Sequence, residues 1–247
     1  MAIVDSHAHL GPCRVFGLNN TVDMLLEYVE QNEIDQSVVQ PFPGAPDPRK
    51  VHDDIARLAS DHPRSFFGLA SMNPHTDPDV YFKEIERCVR ELNFVAVKLH
   101  TIGHAVSPLS QDADAVFQAA RDLGVPIMVH TGTGIPFASP ALVIPKAREY
   151  PSVPIILAHA GYAIYTMDAY VTATECPNVY LETSWCTPHV IKFVIDKLGA
   201  DRVMFGSDLC VNAPVEMAKA RAIGLEGEQK DKYLGITAAK VYKLPHP

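Results

Sequence analysis

Apolar positions along the chain fall into short runs separated by longer stretches in which they recur at helical spacing. Eight short runs stand out: Ala2–Val4, Ser37–Gln40, Phe66–Ala70, Phe94–Leu99, Pro126–His130, Pro154–Ala158, Val179–Leu181 and Val203–Phe205. Several are near-continuous in Val, Ile, Leu and Phe, the pattern of parallel strands covered on both faces. Between them, Met24, Leu25, Tyr28 and Val29 predict an amphipathic helix over Asp23–Gln31. Val80, Phe82, Ile85, Val89 and Leu92 predict another over Asp79–Leu92, and Ala113–Leu123 and Val190–Leu198 follow suit. Strand–helix alternation implies parallel strands joined by crossover helices. Eight units in 247 residues allow about 30 residues each, the size of a βαβ step, and the chain is as long as one (β/α)8 barrel. The expected fold is therefore α/β, a slightly distorted (β/α)8 TIM barrel, with residues 1–247 forming a single domain. An open doubly wound sheet is the alternative, weakened because no G-x-G-x-x-G loop follows the first run. Prolines such as Pro43, Pro74, Pro108 and Pro140 sit at unit borders, where they interrupt no central strand.

Charge narrows the class of partner. The formal net charge is −8 and no Lys/Arg-rich run occurs, so the electrostatic footprint of a nucleic-acid binder is missing and an anionic membrane surface is disfavoured. A small-molecule substrate is expected, with a homodimer as the default assembly. The five cysteines are odd in number and contain no C-x-x-C pair, which argues against a disulfide framework. The N-terminus lacks a basic, then apolar, leader and no apolar run reaches the length of a membrane span. The expected location is cytoplasmic.

The barrel expectation makes a further prediction, since active sites of this fold lie at the C-terminal ends of the strands. The first run leads into Asp5-Ser6-His7-Ala8-His9, the fifth ends at His130, the sixth leads to His159 and the eighth to Asp208. Residues two apart on a strand share a face, so His7 and His9 point together into the mouth. A lone histidine at a strand end is usually a satisfied polar residue. Four runs delivering His, His, His, His and Asp to one end make convergence the better reading. Closing the barrel sets the eighth strand beside the first and brings Asp208 to His7 and His9.

These stretches, DSHAHLG, VAVKLH, MVHTGTG, ILAHAG, NVYLETS and RVMFGSD, resemble the amidohydrolase superfamily, and within it the amidohydrolase-2 branch. The resemblance runs from Ile3 to about Leu244. It implies that His7 and His9 are metal ligands of the first strand, His130 of the fifth and Asp208 of the eighth. His159 then serves a second metal or acts as a catalytic group beside the first. Zn²⁺ suits three nitrogens and a carboxylate, and Mn²⁺ or Fe²⁺ also fit the ligand types. Some superfamily members carbamylate a fourth-strand lysine to bridge two metals, a role open to Lys98. A single-metal site is usual in this branch, leaving Lys98 to bind a substrate carboxylate or pair with an acid. TatD-like nucleases share D-x-H-x-H, but their strand-four glutamate is replaced by Val95-Ala96-Val97-Lys98-Leu99-His100.

Arg14, Lys98, His100 and Trp185 are the expected substrate contacts, with His104, Thr131, Tyr162 and His189 as further loop candidates. Arg14 offers a fork-shaped cation to a carboxylate. Glu182 could orient a ligand histidine, and Cys186 and Cys210 are expected to be inert. The chemistry implied is hydrolysis of an amide, lactone or other carbon–heteroatom bond by a metal-activated water, with Asp208 and His159 moving protons. The alternative is metal-dependent, non-oxidative decarboxylation of a small aromatic or unsaturated carboxylic acid.

Overall fold

The computed structural model describes residues 2–245, so the expected domain bounds, Met1 and Pro247, lie outside the described residues. Nine strands form one sheet: β1 (Val4–Cys13), β2 (Leu18–Asn20), β3 (Gln36–Pro41), β4 (Phe66–Ser71), β5 (Ala96–Leu99), β6 (Ile127–His130), β7 (Ile155–Ala158), β8 (Val179–Glu182) and β9 (Val203–Met204). Their order is β2-β1-β3-β4-β5-β6-β7-β8-β9, parallel throughout except for the β1–β2 hairpin. Strand order never reverses, which is the barrel topology and not the doubly wound one. The ends meet through single contacts: Ser6 N–H donates to Phe205 O (3.2 Å) and Asp208 N–H to His7 O (2.7 Å). A ladder is replaced by irregular bonds there, and this is the distortion of the barrel.

The described residues form ten α-helices, seven between successive strands and three after β9: α1 (Val22–Gln31), α2 (Pro48–Asp61), α3 (Pro78–Arg90), α4 (Gln111–Leu123), α5 (Ile144–Glu149), α6 (Thr166–Glu175), α7 (Pro188–Leu198), α8 (Ala213–Ala222), α9 (Gly227–Asp231) and α10 (Thr237–Tyr242). Their starts are chemically marked. Thr21, Asp47, Asp77, Ser110 and Thr187 each accept a backbone N–H of the first turn of α1, α2, α3, α4 and α7, satisfying donors a helix leaves open. Gly124 stops α4 at φ 68°, a conformation that favours glycine.

Two cores result. The larger lies between strands and helices. The smaller fills the barrel itself, taking Val4, Val38, Leu69, Ala96, Met128, Ile156 and Met204 from successive strands, and α10 adds Ala238, Val241 and Tyr242. Helix α10 thus plugs the N-terminal end of the barrel, and Gly235 makes room for it: a Cβ there would lie 2.1 Å from Ala2 O. The opposite end stays open.

One expectation needs correcting. The first strand begins where the first apolar run ends and continues for ten residues, so His7 and His9 lie inside β1. Polar residues can occupy a buried strand here because partners meet them, as when Ser207 N–H donates to Asp5 Oδ1 (3.0 Å). The register against β3 slips by one residue between Asp5 and Ala8, a bulge of the kind found beside active sites.

Candidate active site

At the open end, β1 and the segment after β9 bring three ligand-type atoms together. His7 Nε2 and His9 Nε2 are 3.3 Å apart, and Asp208 Oδ1 lies 3.2 Å from each. The far side of each ring fixes its tautomer. His7 Nδ1 faces Glu182 Oε2 at 2.9 Å and His9 Nδ1 faces Pro41 O at 3.2 Å. Both partners only accept, so Nδ1 carries the hydrogen and each Nε2 presents a lone pair. Two lone pairs and a carboxylate oxygen therefore converge in a buried spot, the donor set of a divalent cation.

Behind this trio stands a second row. Ser184 Oγ–H donates to Glu182 Oε2 (3.0 Å), so His159 Nδ1, 2.8 Å from Ser184 Oγ, is the donor in that contact. His159 Nε2 then accepts from His130 Nδ1 (3.2 Å). His130 is left with an Nε2 lone pair that is buried and unpartnered among the described residues. An orphaned acceptor of this kind costs stability unless something electropositive meets it, so the fourth expected ligand also fits a cation. His7, His159 and Glu182 form a second compact group, but their facing atoms are already hydrogen-bonded to one another or to Ser184.

The remaining expected contacts divide. Lys98 is buried under the trio, with Nζ 3.2 Å from His7 Nε2. His100 stacks on His130, centroids 4.3 Å apart. Trp185 Nε1–H donates to Asp208 Oδ2 (2.7 Å). Arg14 departs from the group: it is exposed and absent from the cavity wall, held by its backbone N–H on Gly44 O. Its place is taken by Phe16 and Leu18, which the β1–β2 hairpin turns inward. Tyr162 lines the cavity, His104 lies behind it near Pro43, and Thr131 braces Gly161 N–H (3.0 Å). Sequence reasoning missed Gln40, whose amide meets His9 Nε2 at 3.3 Å, and Phe42, which stacks on His9 at 4.4 Å. Gln40 closes the second apolar run, so the strand-end rule would have found it, with Phe42 two residues on, had it been extended beyond metal-ligating residue types.

Burial governs the electrostatics. It pushes His7, His100 and His130 well below the ordinary histidine range, helped by Lys98 beside His7, by His130 beside His100 and by His159 beside His130. Burial brings His159 down to about 4, against the pull of Asp208. These rings are therefore neutral at pH 7, the state in which imidazole binds metals. Burial also lowers Lys98 to about 8, though Asp208 and Glu182 oppose it. Glu182 is raised by burial against the charge of His159. Burial would raise Asp208 too, but His7 and His9 hold it well below the usual carboxylate range.

The cavity above measures about 370 Å³ and is walled by His9, Phe42, His100, His130, Tyr162 and Trp185 among others. Backbone strain concentrates on its rim, where His159, Tyr162, Trp185 and Asp208 all have φ between 44° and 67°, unusual for residues with a Cβ.

Fold and site together define a barrel with a polar, histidine-rich mouth, and the chain belongs to the amidohydrolase family, whose model matches residues 4–244. A γ-resorcylate decarboxylase of Polaromonas sp. is 25% identical over 212 residues, spanning 65% of this chain and 64% of that protein. The matched region thus falls short of two thirds of that relative's length. Among solved structures, 5-carboxyvanillate decarboxylase of Novosphingobium aromaticivorans with bound manganese has TM-score 0.76 at 18% identity, covering 98% of this chain and 97% of that one. The 2,6-dihydroxybenzoate decarboxylase of Rhizobium has TM-score 0.77 at 18% identity, covering 99% of both. At such identity the structural likeness concerns the fold. No helix among the described residues is long and apolar enough to cross a membrane.

Proposed function

We propose that the protein is a metal-dependent, non-oxidative decarboxylase of a small aromatic carboxylic acid. The observation that carries this reading is the convergence of His7 Nε2, His9 Nε2 and Asp208 Oδ1 at the floor of a cavity walled largely by aromatic rings. The names of the similar proteins favour this chemistry over the hydrolysis that the sequence put first. His7, His9, Asp208 and His130 would hold one divalent cation. Manganese is the first to test because a similar structure carries it, with Zn²⁺, the expectation from ligand type, second. When bound, such an ion supplies a Lewis acid that anchors and polarises substrate oxygens.

The residues do the rest. Phe42, Tyr162 and Trp185 bracket a flat ring and exclude water. Asp208 reaches both the floor, through Oδ1, and the cavity. It relays to the ring carbon a proton taken up from solvent: the carbon–carbon bond breaks, CO2 leaves, the bond's electron pair stays on the ring carbon, and a C–H bond forms there. His159, neutral and held by Ser184, stands beside Asp208 as the relay for that proton. Lys98 offsets the negative charge of Asp208 and of the substrate from below. The protein is expected to act as a homodimer on a small-molecule substrate, without nucleic acid or membrane. The test is CO2 release from hydroxybenzoates by protein loaded with Mn²⁺ or Zn²⁺, run beside lactone and amide hydrolysis. Metal-dependent hydrolysis without CO2 release overturns the proposal.

A further inference from the structure

Few donors face the cavity in a fixed direction, since the Tyr162 hydroxyl that lines it can rotate. Trp185 Nε1–H is spent on Asp208, His159 Nδ1–H on Ser184 and the Thr133 hydroxyl on Gly132 O. No arginine or lysine lines it. His100 is different. Gly103 N–H donates to His100 Nδ1 at 3.1 Å, which leaves that nitrogen no hydrogen and rules out the doubly protonated ring. The hydrogen must sit on Nε2, and Nε2 has no hydrogen-bond partner among the described residues. Stacking on His130 at 4.3 Å and 14° sets the plane of the ring. The clamp is built tightly: a Cβ on Gly103 would lie 2.3 Å from Pro43 Cβ and 3.2 Å from His100 Nδ1.

We propose that His100, locked by Gly103 as its Nε2–H tautomer, is the specificity-determining donor of this cavity and selects a monocarboxylate that carries an oxygen acceptor on its ring. The proposal rests on the decarboxylase reading for the substrate's carboxylate and on geometry alone for the donor. A buried donor discriminates because an analogue lacking the acceptor leaves it unpaired. A second carboxylate meets no cation on the wall and would be buried unpaired, so aromatic dicarboxylates are selected against.

The test measures binding of 2-, 3- and 4-hydroxybenzoate, benzoate and benzene-1,3-dicarboxylate to the Mn²⁺-loaded protein by titration calorimetry, with CO2 release followed in parallel. The wild type is expected to bind its best hydroxybenzoate about tenfold or more tighter than benzoate, and the dicarboxylate worst. His100→Phe should bring the hydroxybenzoate-to-benzoate ratio within about threefold, while His100→Gln, which keeps an N–H, retains part of it. If His100→Phe does not fold, Gly103→Ala, which breaks the clamp, should lower the ratio at unchanged metal content. A ratio near one in the wild type, or an unchanged ratio in both His100→Phe and Gly103→Ala, overturns the assignment, as does preferred dicarboxylate binding. An intact ratio without CO2 release overturns the decarboxylase reading instead and leaves His100 in place.

Discussion

Two of the buried histidine–glutamate contacts among the described residues share one geometry and have opposite meanings. His7 Nδ1 lies 2.9 Å from Glu182 at the barrel mouth, and His52 Nδ1 lies 2.9 Å from Glu84 between α2 and α3. Each belongs to a compact group of potential metal ligands, the second completed by Cys88. The difference lies on the other nitrogen. His52 Nε2 accepts Ser71 N–H at 3.1 Å, and Arg87 covers Glu84 with two bonds of 2.9 and 2.7 Å. Both ring nitrogens of His52 and both carboxylate oxygens of Glu84 are matched, so that cluster ties α2 and α3 to the end of β4. His7 Nε2 instead faces the lone pairs of His9 Nε2 and Asp208 Oδ1, with Lys98 Nζ as the one donor below it. A ligand site is recognised by what remains unsatisfied, not by which residue types gather.

The largest effect should come from the floor of the mouth. His7→Ala is expected to lose bound metal, and Asp208→Asn to lower CO2 release by about 10²–10⁴-fold, the usual weight of a proton-transfer group, with the melting temperature nearly unchanged. Elemental analysis and a melting curve on the same samples check both. Next, Glu182→Gln should weaken metal binding by roughly 10–100-fold by releasing His7; metal-binding isotherms at wild-type strength would sink the comparison. His52→Ala should do the reverse, costing roughly 2–3 kcal/mol of stability while metal content stays at the wild-type value.

The smallest effect concerns acid. Glu84 is partly buried, which by itself would raise it, but His52 and Arg87 hold it down at about 2. A carboxylate depressed in the folded state adds stability above its unfolded value of about 4.3 and loses it as pH falls toward about 2. The urea-midpoint difference between wild type and Glu84→Gln should therefore be widest near neutrality and shrink through that window. A difference that is constant with pH removes the charge from the explanation.

Much of this was written in the local pattern. Eight apolar runs marked the parallel strands because a strand covered on both faces must be apolar throughout. His7, His9 and Asp208 were visible because strand ends in a barrel share one rim. Helix α2 was less legible: Val51, Ile55 and Leu58 carry its buried face, but no helix was expected there, and Pro48 opens its first turn, where the missing N–H costs nothing. Helix α6 buries Thr166, Ala169, Thr172 and Ala173, small residues that give no apolar stripe. The hairpin strand β2 depends on pairing with Gly11–Cys13, and the bulge in β1 on a register no single segment encodes. Arg14 looked well placed along the chain, yet the hairpin points Phe16 and Leu18 inward instead.

Trp185 is the sole tryptophan of the chain, and its indole N–H rests on the carboxylate at the centre of the site. Indole emission responds to the charge and polarity around that N–H. The molecule thus carries an intrinsic optical reporter with no second indole to mask it, and its fluorescence should register whatever next takes hold of Asp208.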